Sequence, residues 1–217
     1  MTAALLDAMR KAAPHIVPDR SAWLGGFNTP AAVGVPFANR EAFIARMRER
    51  IELIRTKGYA TYLMTRMEKK RKPWNIEIIL VPEAGTLSIG VKRPSEWQPI
   101  AELLSSIPGA VDIDFAFVDA WDHNPVPLEP GDKTSYRADF ATFPHRQCLG
   151  WMAYVPRHVT REQLPLAADI LQAKGGSIIV TTKELFDISN KEHIKRANQI
   201  EMDMNDLGLL AVTDPAF

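Results

Sequence analysis

The chain has 217 residues, 46% of them hydrophobic and 24% charged, and its 26 basic and 26 acidic side chains leave no formal net charge. This composition is typical of a folded protein with a core, and it excludes disordered and collagen-like chains; the neutral balance argues against a general nucleic-acid binder. The single cysteine, Cys148, excludes an intramolecular disulfide and a cysteine-rich zinc site.

The first residues do not have the pattern of an export signal. Asp7, Arg10 and Lys11 interrupt the apolar run that such a signal needs. No stretch approaches the roughly 18 apolar residues of a membrane span. We therefore expect a soluble, cytoplasmic protein that makes no contact with a membrane.

The first part of the chain predicts two helices, an irregular segment and three strands. Residues 2–13 are expected to form a short helix, and residues from about 14 to 37 to be irregular because proline and glycine are frequent there. Residues 39–57 show apolar residues at helical spacing, with Gly58 as the stop. Strands are predicted at 59–66, 75–82 and 86–92.

A capped helix is predicted after these strands. Ser95 stands three residues before Gln98, which is the capping-box spacing at a helix start. Apolar residues then recur at helical intervals until Pro108-Gly109. We expect this helix to end at that Pro-Gly pair.

Residues 110–121 alternate between apolar and acidic residues. Such alternation is typical of a strand with one buried and one solvent-exposed face, so Asp112 and Asp114 are expected in solvent. Residues 122–147 read as a long loop rich in proline, aspartate and aromatic residues. Loops of this length in a compact domain tend to be functional or to contain short elements.

The last third predicts two more strands and two more helices. The strands are expected at 149–155 and 177–182. A helix is expected from about 160 to 174, ended by Gly175-Gly176. A final helix opens with the capping box Ser189-Asn190-Lys191-Glu192 and closes at Gly208. Its apolar stripe consists of Ile194, Ala197, Ile200, Met204 and Leu207.

Strands and helices are mixed throughout, which indicates an α+β fold. We expect a single domain over residues 1–217, with a mixed or antiparallel sheet flanked by amphipathic helices. The two halves share the order strand, capped helix, glycine stop and strand. This is the pattern of two similar strand–helix–strand halves, although their residue identity is too low to claim a duplication.

The sequence contains neither of the glycine-rich motifs that bind phosphates. Gly175-Gly176-Ser177 lies between a predicted helix end and a strand, which is the wrong polarity for an anion site. Cys148 near His145 suggests a thiol nucleophile, but a lone cysteine entering an apolar strand is more often a small buried residue. We therefore expect no enzyme activity and no cofactor.

One cluster, Asp119-Ala120-Trp121-Asp122-His123, offers an alternative chemistry. Carboxylates and an imidazole on one loop could ligate zinc or manganese. A small metal-dependent hydrolase using Asp119, Asp122 and His123 is therefore the alternative function. The simpler interpretation, which we favour, is a polar strand end with solvated acids.

Charge is distributed unevenly along this neutral chain. Residues 40–72 contain eleven Arg and Lys against four Glu, whereas residues 101–132 contain seven acids and no Lys or Arg. Opposed charged surfaces steer association and select partners more than they stabilise folds. The basic run 69–72 is most simply a solvated turn, with nucleic-acid or membrane-surface contact as its alternative.

Several short motifs together resemble a known family. They are Trp23-Leu24-Gly25-Gly26-Phe27, the Arg40-Glu41 helix start, 149–156, 175–180, 186–193, Ala197, Glu201 and Leu207-Gly208-Leu209-Leu210. They resemble the immunity protein 52 family of bacterial polymorphic toxin systems, and a related type VI secretion immunity family has a comparable ending. The resemblance spans most of the chain. It implies a cytoplasmic immunity protein, without catalytic activity, that binds and neutralises a cognate secreted toxin.

The toxins associated with this family are often nucleases of the restriction-endonuclease-like fold, so the resemblance implies a nuclease-type partner. A nuclease presents a basic groove to phosphates, and acids on an inhibitor can occupy that groove. An aromatic side chain flanked by acids is also the mixture expected of a protein-binding anchor. We therefore predict that the toxin-binding surface consists of Asp112, Asp114, Asp119, Trp121 and Asp122. Trp151, within the motifs, is expected to fill the core.

Overall fold

The computed structural model describes residues 23–27, 35–36, 39–42, 45, 61–67, 76–81, 86–91, 96–110, 112–123 and 132–216. The chain divides into two compact units, residues 1–95 and 96–217. Each unit contains antiparallel strands together with helical residues, so the predicted α+β class is confirmed. The organisation of residues 1–217 as a single domain stays a prediction.

The first unit contains a five-stranded antiparallel sheet in the order β2-β1-β3-β4-β5. Its strands are β1 (Trp23–Phe27), β2 (Val35–Pro36), β3 (Thr61–Met67), β4 (Ile76–Val81) and β5 (Thr86–Val91). The sequence correctly predicted β3, β4 and β5. It was wrong to expect an irregular chain at β1 and β2: β1 pairs along its whole length with β3, and this ladder outweighs the low strand propensity of its glycines.

Asn39 begins the long helix predicted for the first unit. Its Oδ1 accepts a hydrogen bond from the Ala42 N–H at 3.1 Å, and residues 40–42 and 45 are helical. Such a cap satisfies one of the N–H groups that a helix start leaves without a partner. Several predictions lie outside the described residues: the rest of this helix, the helix at 2–13, Ser95 of the capping box and the basic run 69–72.

The second unit contains a four-stranded antiparallel sheet in the order β10-β11-β9-β6, and a separate pair, β7 and β8. The strands are β6 (Ala116–Val118), β7 (Trp121–His123), β8 (Lys133–Ser135), β9 (Met152–Val155), β10 (Asp169–Ala173) and β11 (Gly176–Val180). The helices are α1 (Gln98–Ala110), a π-helix (Tyr136–Phe140) that follows β8 directly, and α2 (Lys191–Asp206).

Both faces of this sheet are covered, and every residue of β9 and β11 is buried. Successive side chains of a strand point to opposite faces. On one face Met152 and Tyr154 pack with residues of α1, and on the other Ala153 and Val155 pack with Ile200 of α2. This burial on both faces explains why β9 and β11 are nearly continuous apolar runs, without the alternation of apolar and polar residues that a half-exposed strand shows.

The two helices with capping signals are confirmed. The predicted capping box is displaced by one residue: the N-cap of α2 is Asn190 instead of Ser189, and its Oδ1 accepts a hydrogen bond from the Glu192 N–H at 3.0 Å. Gly208 follows the helix with a φ of +68°. α1 runs past the predicted stop, through Pro108 to Ala110. Pro108 removes one hydrogen bond and its ring crowds the carbonyl of Leu104, but the helix continues for only two residues beyond it.

The helix predicted for residues 160–174 is wrong. The Leu164 N–H donates to the Thr160 carbonyl at 3.3 Å, which makes a single turn; Pro165 and then β10 follow. Leucine, alanine and glutamine favour helix here, but the ladder between β10 and β11 overrides that preference. The predicted strand–helix–strand likeness between the halves therefore does not hold in residues 149–182.

Gly175 lies in the turn between β10 and β11 and Gly176 begins β11, so neither glycine ends a helix. Gly175 has a φ of +75°, in the left-handed region that favours glycine. A Cβ atom on Gly176 would lie 2.0 Å from the Val155 carbonyl oxygen. Close packing against β9 therefore requires glycine at position 176.

The strand predicted for 110–121 is shorter in the structure. Only Ala116–Val118 pair with β9, and the chain leaves the ladder at Asp119. The expected alternation holds before the strand, because Asp112 and Asp114 are exposed while Phe115 is half-buried. The loop predicted from residue 122 contains β8 and the π-helix, which its composition does not indicate.

Candidate functional site

The five predicted toxin-binding residues lie before and after β6. Asp112 and Asp114 precede the strand and are exposed; Asp119 and Trp121 follow it and are half-buried, and Asp122, in β7, is exposed. β6 is the last strand of its sheet, and among the described strands it pairs only with β9. The acids therefore border the two ends of an edge strand.

Hydrogen bonds hold the backbone around β6 in place. The Val118 carbonyl accepts from the Trp151 N–H at 2.8 Å, and the Ala120 carbonyl accepts from the Tyr136 N–H at 2.9 Å. The indole N–H of Trp151 in turn donates to the Thr182 carbonyl at 2.9 Å, and Trp151 is buried, as expected. A partner that meets this surface finds a preorganised backbone, which lowers the entropic cost of binding.

Asp119 supports the local fold. Its Oδ1 accepts a hydrogen bond from the Arg137 N–H at 3.1 Å, at the start of the π-helix. Burial raises the pKa of the Asp119 carboxyl, and the hydrogen bonds from Arg137, Ser135 and Ala120 oppose that rise. This half-buried carboxylate therefore ties the connection between β6 and β7 to the start of the π-helix, a role that the sequence pattern did not indicate.

Two cations stand beside the acidic segment. The Lys133 Nζ lies 4.1 Å from the centroid of the Trp121 ring, and the Arg137 Cζ lies 5.4 Å from the centroid of the Phe117 ring. Both follow residue 132, where the run without Lys or Arg ends. The surface around Trp121 is therefore mixed in charge, which the sequence count missed because it ended just before these residues.

Asp112 and Asp114 differ from the other predicted residues. Neither forms a hydrogen bond or an ion pair with any residue in the described part of the chain. The negative charge of Asp112 contributes, after burial, to raising the pKa of the Tyr154 phenol. These two carboxylates are the members of the predicted surface that an external cation can pair with.

The structure gives little support to the alternative metal site formed by Asp119, Asp122 and His123. Asp119 is engaged with the backbone of Arg137, and the side chain of His123 lies outside the described residues. Across the described side chains, no group of three or more His, Cys, Asp or Glu is placed to hold a metal ion. The metal-dependent hydrolase stays a hypothesis, and metal analysis of the purified protein tests it.

A buried carboxylate, Glu201 of α2, anchors the segment after the π-helix. It is 1% exposed, and its oxygens accept from the Leu149 N–H at 2.7 Å and the Thr142 N–H at 2.8 Å. Burial raises the pKa of the Glu201 carboxyl, although these N–H donors favour its ionised form. The burial of Glu201 could have been predicted from the sequence, because position 201 lies four residues after Ala197 and three before Met204, on the buried stripe.

Tyr136 and Asn198 extend this network. When the Asn198 side-chain NH₂ faces the Phe140 and Ile194 carbonyls, at 3.1 and 3.2 Å, the Tyr136 hydroxyl also lies within reach at 2.8 Å, and its two hydrogens serve two of these three acceptors at a time. The tyrosine proton is then free to donate to Glu201, a hydrogen bond that favours the carboxylate. No buried side-chain N or O atom of the described residues lacks a partner, so the polar network fixes α2 to the π-helix.

Cys148 is buried at 2% exposure, as expected for a small core residue. Burial, and next the Glu201 carboxylate, raise the pKa of its thiol to about 12. We predict that the folded protein reacts with a thiol reagent at least about a hundredfold more slowly than a free cysteine, because the thiolate is the reacting species. Absorbance with a disulfide reagent measures this rate; denaturant should release the thiol. Fast labelling of the folded chain would contradict its burial.

No family model matches this chain, and no curated protein matches it significantly. The described part of the chain contains no helix long and apolar enough to cross a membrane. A functional proposal for the chain therefore depends on its own residues, on their geometry and on the motif resemblance described above.

Proposed function

We propose that this chain is a cytoplasmic immunity protein that binds a cognate secreted toxin and neutralises it without catalysing a reaction. The proposed toxin is a nuclease of the restriction-endonuclease-like fold. The observation that carries the proposal is the pair of exposed carboxylates, Asp112 and Asp114, on the backbone that leads into β6. The resemblance of the motifs to the immunity protein 52 family supplies the class of partner.

These carboxylates suit a basic partner. A nuclease attracts phosphates with Arg and Lys side chains, and Asp112 and Asp114 have no ion-pair partner among the described residues. The half-buried Trp121, beyond the other end of β6, adds an aromatic surface, and interface energies concentrate on aromatic and arginine anchors. We therefore expect the contact to centre on these three residues, while Asp119 supports the backbone and Asp122 borders the contact.

Replacing both Asp112 and Asp114 by lysine tests the proposal. We expect binding to weaken by about 2–5 kcal/mol, roughly a 30- to 5,000-fold loss of affinity, because attractive charges become repulsive. The measurement is growth of cells that co-express this chain with the proposed cognate toxin domain. Wild-type chain should protect the cells and the double variant should not.

The matched control replaces two other exposed acids, Asp206 and Asp214, by lysine. The control variant changes the net charge by the same amount and should still protect the cells. Circular dichroism should show both variants folded, since all four side chains are exposed. Full protection by the Asp112→Lys/Asp114→Lys variant would remove this surface from the interface. Loss of protection by both variants would mean that net charge alone matters.

A further inference from the structure

A groove on α2 lies apart from the predicted acidic surface in the second unit. It has a volume of about 580 Å³ and is lined by residues of α2, by residues just before it and by the last residue of the π-helix. Four lining side chains are apolar: Phe140, Ile188, Ile194 and Met202. Met202 is 46% exposed. The other three are half-buried and pack against the core, so the groove has an apolar floor that stays partly accessible beside polar side chains, as at many binding surfaces.

The α2 residues of the groove form one continuous stripe at intervals of three or four residues. They are Lys191, Ile194, Lys195, Asn198, Gln199 and Met202. A different stripe, with Ala197, Ile200 and Met204, packs into the core. One face of α2 therefore packs into the core, and a second face, which is part apolar and part polar, lines the groove.

The polar side of this stripe is basic. Neither Lys191 nor Lys195 forms an ion pair with a described carboxylate. α2 carries four carboxylates, and none of them lines the groove. The adjacent Asp187 stays ionised, because hydrogen bonds from the Ser189 hydroxyl and N–H lower the pKa of its carboxyl, but it does not line the groove. The two lysines thus give the groove a positive charge.

The positive charge of Lys191 does not stabilise α2, because of where this residue lies in the helix. Lys191 is the first residue of α2, where the free N–H groups create a positive potential that favours acids and disfavours cations. A residue that breaks a local rule of this kind often marks a functional surface. Lys191 and the helix start therefore add their positive potentials at one end of the apolar groove.

We propose that this groove is a docking site for an acidic amphipathic peptide segment of a protein partner. Its apolar side chains would lie against Phe140, Ile194 and Met202, and its carboxylates would pair with Lys191 and Lys195. Amphipathic segments commonly bind in grooves of this kind through apolar anchors at helical spacing. The inference depends on the chemistry of the groove alone. The groove would bind an acidic segment, whereas Asp112 and Asp114 would bind a basic surface.

Selection from a phage-displayed library of short random peptides tests the proposal, with the full chain as target and the Lys191→Glu/Lys195→Glu variant as counter-target. We expect enriched peptides to combine Asp or Glu with Leu, Ile or Phe at helical spacing. Fluorescence anisotropy should show that these peptides bind the double variant at least about tenfold more weakly. Met202→Glu, which adds a carboxylate to the groove, should weaken binding in the same way.

Lys174→Glu/Arg196→Glu is the matched control, because it changes the net charge by the same amount and both exposed cations lie outside the groove lining. It should leave peptide binding unchanged. The Lys191→Glu/Lys195→Glu variant should unfold at the wild-type temperature or above, since a carboxylate suits a helix start. Failure to enrich acidic amphipathic peptides, or equal binding to wild type and double variant, would overturn the proposal. Wild-type dimerisation that the double variant loses would also overturn it, because a second copy would then occupy the groove.

Discussion

Replacing Glu201 by leucine is expected to lower the free energy of unfolding by roughly 2–5 kcal/mol. The carboxylate accepts the N–H groups of Leu149 and Thr142. Leucine leaves both donors without an acceptor, and each unsatisfied buried donor costs about 1–3 kcal/mol. Urea unfolding followed by circular dichroism measures the change.

The same substitution at Gln199 is the matched control, because Gln199 is exposed on the same helix. It should change the free energy of unfolding by no more than about 0.5 kcal/mol. An equal loss of stability in the two variants would show that the buried carboxylate does not anchor the segment after the π-helix.

The stability contributed by Glu201 should also depend on pH. Burial raises the pKa of this carboxyl above its ordinary value of 4.5, so the folded chain holds the proton more tightly than the unfolded chain. The contribution is therefore greatest below pH 4.5 and falls as the pH rises through the folded value. The stability gap between wild type and Glu201→Leu should narrow across that window. A gap that widened would mean that the fold stabilises the carboxylate.

Gly176→Ala is expected to lower the free energy of unfolding by about 3 kcal/mol or more. The added Cβ would lie 2.0 Å from the Val155 carbonyl oxygen and 2.9 Å from Tyr154 Cε2. Val155 pairs with Ser177 in the ladder between β9 and β11. The carbonyl therefore cannot move away without disturbing the centre of the sheet.

Gly175→Ala is the matched control for this substitution. Gly175 has a φ of +75°, but the nearest atom to its added Cβ is the Tyr154 hydroxyl at 3.7 Å. Only the backbone strain remains, which costs roughly 1–2 kcal/mol. Thermal unfolding of both variants compares the two costs. An equal loss would contradict the conclusion that packing against β9 requires glycine at 176.

The contrast between α2 and residues 160–174 shows what the sequence can predict. α2 was predictable because a capping residue, an apolar stripe and Gly208 agree with one another. Residues 160–174 have helix-favouring composition, yet β10 forms there because it pairs with β11. That pairing depends on the position of β11 in the folded sheet, which a local pattern does not contain.

The candidate site was predictable to a similar extent. Alternation placed Asp112 and Asp114 correctly in solvent. The engagement of Asp119 by the Arg137 N–H and the approach of Lys133 to Trp121 depend on the π-helix and on β8. Nothing in the composition of residues 122–147 indicates either element. A count of charges along residues 101–132 therefore overstated the acidity of the surface, because Lys133 and Arg137 lie beside it.

Calorimetric titration of the purified toxin domain into the purified chain, at low and at high salt, measures the proposed complex most directly. We expect a one-to-one complex of nanomolar or tighter affinity, weakened by salt because ion pairs at an exposed surface are screened. The heat of binding should vanish or fall sharply in the Asp112→Lys/Asp114→Lys variant. Absence of binding by the wild-type chain, or affinity equal to wild type in that variant at low salt, would contradict the account.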